Sequence, residues 1–256
     1  MEDEMVDRSR FDLSYFRTMR KSSVLGLLAL STSLLFSCNG GSDAPEGQPA
    51  PAGPAATTPA PAPDAWAERD RWQQPQQLIE MMGGTLLNIT VVDLFADDGY
   101  FTVKLLDAGA DVIAVVNEPA KAERLEALKK ERGIPDDRLR IRLVPVGDPG
   151  LAPEEADMAL ITHRYRSIGD KEGYFKLLRR GLRYPKLLFM LEWPQKTTAM
   201  GPPASERLAP EYVMESLGNV GFTDVSFNAA VIPEQVIYVA HDPMDDMSGD
   251  GSEVQL

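Results

Sequence analysis

Five short apolar runs pace the chain from residue 88 onward: NITVVDL from Asn88, DVIAVV from Asp111, RIRLV from Arg140, DMALIT from Asp157 and KLLFMLE from Lys186. Their length and β-branched content predict buried strands. Between them lie segments of helical length, predicted at 99–108, 119–132, 171–182 and 210–217; Pro119 and Pro210 suit a first helical turn. Ahead of the first strand, Asp64 can cap a helix carrying Trp66 and Trp72, and Pro75 can start another that runs to Met82. The closing runs TDVSFNAAV and QVIYVAH predict an antiparallel hairpin. Repeated strand–helix units with apolar strands imply a mainly parallel sheet with helices on both faces. Ligands of such α/β folds bind beyond the carboxyl ends of the strands.

The first quarter follows a different pattern. After Arg17, Arg20 and Lys21 comes VLGLLALSTSLLF, Val24 to Phe36, which has the length of a secretory apolar core and is too short to span a bilayer. It ends in LFSC, which resembles the lipobox of bacterial lipoproteins, with Leu35, Ser37 and the chain's single cysteine, Cys38, in the positions that motif needs. That resemblance implies a signal peptide over residues 1–37, cleavage before Cys38, lipidation of Cys38 and residence on the periplasmic or outer face of the bacterial cell envelope. Glu2, Asp3, Glu4 and Asp7 are foreign to a basic leader, so Met19 is a possible true start. From Asn39 to Pro63 the chain is mostly Pro, Ala, Gly, Ser and Thr, with seven prolines, a semi-rigid spacer reaching roughly 75 Å at ~3.1 Å per residue. The reading divides the chain into a lipidated cysteine and linker at 38–64, a folded domain at 65–243 and an acidic tail at 244–256, expected to be disordered. A formal charge of −13 opposes a duplex nucleic-acid partner, which is held by Lys and Arg at its phosphates. One cysteine leaves no disulfide framework, and no His or carboxylate cluster has metal spacing.

The folded part also carries a recognisable order of motifs: RDRWQQP from Arg69, DLFADDGYFT from Asp93, GDPGLAPEEADMALI, YRSIGDKEGYFKLLRRGL from Tyr165, and GPPASERLAPEYVMESLGNVGF. Together they resemble a bacterial group of class I S-adenosylmethionine-dependent methyltransferases. The resemblance implies a Rossmann-like, mainly parallel seven-stranded sheet with an antiparallel last strand. It also implies S-adenosylmethionine as cofactor, with Asp93, Gly99, Glu118 and Asp148 as the cofactor-binding positions.

The family's glycine-rich turn has changed here, with Phe95 and Asp97 standing where its first two glycines belong. Glycine serves there because backbone must approach the cofactor closely and some positions need positive φ. A phenyl ring would occupy cofactor volume, and Asp97 would bring a carboxylate toward the cofactor's negatively charged methionine end. The ribose-binding acid falls on Val116, with Glu118 two residues on as the nearest substitute; the adenine-contacting Asp falls on Pro145 without a gap, or on Asp148 with a short one. Asp93 and Gly99 also have a plain structural reading, as a helix cap and a tight packing point. His163 and Tyr165, at the end of the fourth strand, are the catalytic candidates, His163 as a general base; His241 invites no role. Three functional expectations follow: a non-catalytic binder of an unknown small molecule or envelope protein at a degenerate cofactor cleft, an active methyltransferase acting on a small molecule, or a purely structural envelope component whose cleft is filled with side chains. Cys38→Ala is expected to move the protein from the membrane to the soluble fraction on cell fractionation. Retention of the variant in membranes would remove the lipid anchor from the account.

Overall fold

The computed structural model describes residues 65–242. The signal-peptide region, Cys38, the linker before residue 65 and the tail at 244–256 lie outside the described residues. Helices α1 (Ala65–Gln73) and α2 (Pro75–Met81) precede the alternating core of β1 (Thr90–Leu94), α3 (Tyr100–Asp107), β2 (Asp111–Val116), α4 (Pro119–Glu131), β3 (Leu139–Leu143), β4 (Ala156–Thr162), α5 (Lys171–Gly181) and β5 (Leu182–Glu192). Helix α6 (Pro210–Asn219) and the hairpin β6 (Asp224–Asn228) and β7 (Val236–His241) complete it.

The seven strands form one sheet in the order β3-β2-β1-β4-β5-β7-β6. Strands β1 to β5 pair in parallel, and β7 runs antiparallel to both β5 and β6. Every residue of β1 and β7 is buried, as central strands of a sheet covered on both faces require. The edge strands β3 and β6 are only partly buried. On β3, Arg140 and Arg142 both pair with Glu155, at 3.0 and 2.5 Å, charges that blunt an open sheet edge.

Local chemistry explains the helices. Pro75, Pro119 and Pro210 sit in first turns, where the missing N–H costs nothing. The Asp170 carboxylate caps α5 by accepting the Gly173 N–H at 2.9 Å, and Tyr174, Phe175 and Leu178 form its buried face. Strand β5 differs from expectation: it begins at Leu182, straight after α5, rather than at Lys186 after a turn. Ala156 pairs with Leu182 and Met158 with Leu187, so a register irregularity on β5 absorbs the Tyr184–Lys186 segment inside the strand. Among the described residues no helix is long and apolar enough to cross a membrane.

The order places the carboxyl ends of β1 and β4 side by side at the centre of the sheet. From β1 the chain runs through α3 to β2 on one flank, and from β4 it runs through α5 to β5 on the other. That crossover point is where α/β folds hold ligands.

Candidate functional site

The loop that follows β1 keeps a glycine-type backbone without most of the glycines. Phe95 has φ +59° and Asp97 φ +48°, the left-handed region that costs an L-residue roughly 1–2 kcal/mol. Gly99 has φ +83° and serves as the N-cap of α3; a Cβ built there would lie 2.7 Å from Leu125 Cδ2, the one buried side chain of α4. Gly99 is thus the tight packing point. Asp93 is not the cap: its Oδ2 accepts the Thr102 hydroxyl at 2.6 Å, one turn into α3. The carboxyl is only 3% exposed, and burial pushes its pKa up to about 7 against the pull of Thr102.

Asp97 is clamped. Lys121 Nζ of α4 reaches its Oδ1 at 2.5 Å, and Arg164, just past β4, donates to its Oδ2 through Nη2 at 2.5 Å and Nε at 3.2 Å. Burial would raise the Asp97 pKa, but the two cations outweigh it and hold the carboxyl below the ordinary range. Phe95 stacks on Tyr174 of α5 at 5.9 Å between centroids and packs against the core. Phe95 lines two small adjoining cavities. The first, about 170 Å³, opens onto Arg69, Asp93, Asp98, Thr162 and His163. The second, about 150 Å³, opens onto Val116, Asn117, Glu118 and Val146. Phe95, Asp97 and Arg164 line both, and form the wall between them.

Helix α1 closes the first cavity with a polar rather than an apolar face. Residues three and four apart share a helix face, and Trp66, Arg69, Asp70 and Gln73 carry its contacts, Trp66 by donating its indole N–H to Asp98 Oδ2 at 3.4 Å. Arg69 Nη1 donates to Asp98 Oδ1 at 3.2 Å, its Nε to Gln73 Oε1 at 2.8 Å, and its guanidinium lies 3.9 Å over the Tyr100 ring. Asp70 accepts the Tyr100 hydroxyl at 2.6 Å and the Lys104 ammonium at 2.7 Å. Gln73, fully buried, approaches His163 Nε2 at 3.4 Å, and the imidazole stacks on Trp193 at 4.2 Å. Burial, then the Arg69 guanidinium, pushes the His163 pKa down to about 3. Such a ring is neutral at physiological pH and a feeble proton acceptor.

The other sequence candidates are dispersed. Tyr165 is buried and lines neither cavity. Asp148 also lines neither; it accepts the Gly150 N–H at 2.7 Å in a turn. Glu118 lies at the mouth of the second cavity, 63% exposed and paired with Lys121 at 2.7 Å. Arg69, Asp98 and Arg164 belong to the site although none of them was a sequence candidate, Arg69 and Asp98 standing only inside longer motifs. Arg69 alone left a signal, its i,i+4 spacing to Gln73 on a helix with no apolar stripe. A further acid, Glu192, closes β5 and accepts the Tyr165 N–H at 2.9 Å, burial raising its pKa to about 7. Among the described residues no group of His, Cys, Asp and Glu is arranged to hold a metal.

No protein-family model and no curated protein sequence matches the chain. Solved structures do: a SAM-dependent methyltransferase from Aquifex aeolicus superposes with a TM-score of 0.61 at 15% identity, over 68% of this chain and 92% of that one. The domain has the class I methyltransferase fold. Geranyl diphosphate C-methyltransferase from Streptomyces coelicolor A3(2), in complex with Mg2+, geranyl diphosphate and S-adenosyl-L-homocysteine, superposes at 0.55 and 13% identity, over 69% of this chain and 80% of that one. The [4+2]-cyclase SpnF does so at 0.55 and 13%, over 67% and 81%. Methyltransferase-fold proteins with such different names set the architecture and leave the chemistry to the site.

The Asp93 environment sets a pH signature. A carboxyl whose folded pKa lies above its unfolded value of 3.8 binds more protons folded than unfolded, so its contribution is most favourable below pH ~4 and is lost as pH rises through ~7. Asp93→Asn keeps an acceptor for Thr102 without the charge. Chemical denaturation is expected to find the variant more stable than wild type by about 2–4 kcal/mol at pH 8, with little difference at pH 4; equal stability at both would refute the burial assignment.

Proposed function

We propose that this is an exported, lipid-anchored protein of the bacterial cell envelope whose methyltransferase-like domain has given up S-adenosylmethionine and binds a ligand or protein partner at the former cofactor cleft. The observation that carries this reading is the Asp97 clamp. A nucleoside cofactor laid over the carboxyl ends of β1 and β2 needs bare backbone there. This chain instead presents a carboxylate tied to Lys121 and Arg164, with the Phe95 ring beside it. Neither cavity, at about 170 and 150 Å³, approaches the ~300–1,000 Å³ of ordinary cofactor sites. Val116 cannot accept a ribose hydroxyl, and Glu118 is engaged with Lys121. Polar groups left unmatched in such a site cost roughly 1–3 kcal/mol each. The residues present therefore do not fit the cofactor.

Export argues in the same direction, because the family's methyl donor is made in the cytosol. The lipobox resemblance at Cys38 and the loss of cofactor contacts are separate features of the chain with one consequence. The fold permits such a change of use, since a fold neighbour is a [4+2]-cyclase.

A second reading, an active methyltransferase on a small molecule, rests on a specific observation. Phe95 and Asp97 retain the positive φ of the glycines they replace, and Asp93 and Gly99 remain. In that reading Lys121 and Arg164 release Asp97 when cofactor arrives, and Glu118 turns to the ribose. Isothermal titration of the full chain in nonionic detergent with S-adenosylmethionine separates the two. No heat at millimolar cofactor is the expected result, and a micromolar dissociation constant would restore the enzyme.

A further inference from the structure

The two edges of the sheet are built differently. Strand β3 carries Arg140 and Arg142, both paired with Glu155, and charge of that kind discourages a further strand. Strand β6 is the other edge. It has no lysine, arginine or proline, and its ladder with β7 runs from Asp224 to Asn228 without a bulge. Its single charge, Asp224, stands at one end, 3.7 Å from His241 Nε2. Proteins ordinarily blunt an exposed edge with charge, proline or a bulge, because its unpaired N–H and C=O groups template another strand. The centre of β6 has none of these.

The side chains of β6 define the strand that fits it. Alternate residues point to opposite faces. Val225 and Phe227 lie on the face covered by α6, where Val225 packs against the core with Val213 and Leu217; Asp224, Ser226 and Asn228 lie on the other. Phe227 meets Tyr238 at 6.1 Å between centroids yet is 43% exposed, an apolar ring left open at the edge. In an antiparallel pair of β6 strands centred on Ser226, each Phe227 faces Val225 of the second copy, and each Asp224 faces its Asn228. Aromatic and β-branched residues make a favourable cross-strand pair. Asn228 Oδ1 already accepts the Ala230 and Val231 N–H at 2.8 and 3.0 Å, so its NH2 group is the end that remains to donate to the Asp224 carboxylate. Ser226 meets Ser226, and no like charges oppose each other. The strand is complementary to itself, which is what a two-fold interface requires.

We propose that two copies of this chain pair through β6, antiparallel about a two-fold axis at Ser226, and join their seven-stranded sheets into one continuous sheet. Main-chain hydrogen bonds give such strand addition its affinity, and the side-chain pairs fix its register. A contact built on a five-residue strand is small beside the ~20–30 residues a side of a standard interface, so the dimer is a reversible one. Strand β6 is the third strand beyond β4, away from the loops that line the cleft. The pairing goes beyond the proposed function and does not depend on it.

The test is sedimentation equilibrium of the full chain in a density-matched nonionic detergent. Wild type is expected to pass from monomer to dimer between about 1 and 100 μM. Ser226→Lys sets two ammonium groups against each other on the axis and should weaken the dimer by about tenfold or more, as should Ser226→Glu with two carboxylates. An equimolar mixture of the two variants sets opposite charges there and should associate within about threefold of wild type. Ser226→Cys should form an intermolecular disulfide under mild oxidation, because paired Cα atoms at ~4.5–5.5 Å suit that bond. Thr223→Cys, whose two copies would lie roughly 20 Å apart at ~3.3 Å per residue, should not cross-link beyond the level of wild type, whose single cysteine is Cys38. A monomer at about 100 μM, a dimer indifferent to charge at residue 226, no recovery in the mixture of folded variants, or equal cross-linking through residues 223 and 226 overturns the proposal. A different polypeptide linked to Ser226→Cys in cells, with no homodimer, overturns it too. Should the charged variants fail to fold by circular dichroism, the two cysteine variants decide.

Discussion

The carboxylate of Asp97 gathers cations from two elements that are otherwise far apart in the chain: Lys121 on α4 and Arg164 beyond β4. A charge-assisted contact of this kind is individually modest where solvent reaches it, and all three side chains here are about a third exposed. Its consequence is geometric. It ties the loop after β1 to both flanks at the crossover point of the sheet, where an α/β fold leaves its crevice open. With Phe95 stacked against Tyr174 beside it, the crevice becomes two small compartments. Every functional statement about the domain descends from that division.

Backbone and side chains at this point ask for different residues. The loop follows the left-handed course at 95 and 97, a conformation glycine adopts freely and other residues adopt at a cost. The side chains then fill the space that bare backbone would leave. Strain of that sort persists where surrounding contacts over-determine it, and the Asp97 ion pairs, the Phe95 stack and the hydrogen bond from Ala96 N–H to Val115 O at 2.9 Å supply those contacts. Helix α1 adds a cover held by Arg69, Asp70 and Gln73. The two cavities thus differ: the one under α1 is closed in by charge and aromatic rings, and the one past β2 is faced by valines and an exposed Glu118.

The architecture was legible in the chain because burial on both faces writes strands as continuous apolar runs. TVVDL, DVIAVV and VIYVAH appear within a residue or two of where they read, and the reversed last strand follows from the hairpin. The N-terminal edge of β5 was not legible, since pairing with β4 draws Leu182 and the Tyr184–Lys186 segment into a strand that local signals break. The site was legible only in its departures from a pattern, at Phe95, Asp97 and Val116. What they contact was hidden, because Lys121 lies 24 residues and Arg164 67 residues from Asp97, and only tertiary folding brings them together. Burial likewise decides the chemistry of Asp93 and His163, shifting an acid up and a base down, and no local motif encodes that.

The central claim is that side chains at the tip of β1 exclude a nucleoside. A crystal structure of the protein grown with saturating S-adenosylmethionine tests it most directly. The account predicts an intact Asp97 contact with Lys121 and Arg164 and no cofactor density over β1 and β2. Density for the nucleoside across the sheet, with Phe95 swung aside and its ribose hydroxyls held by Glu118, would contradict it.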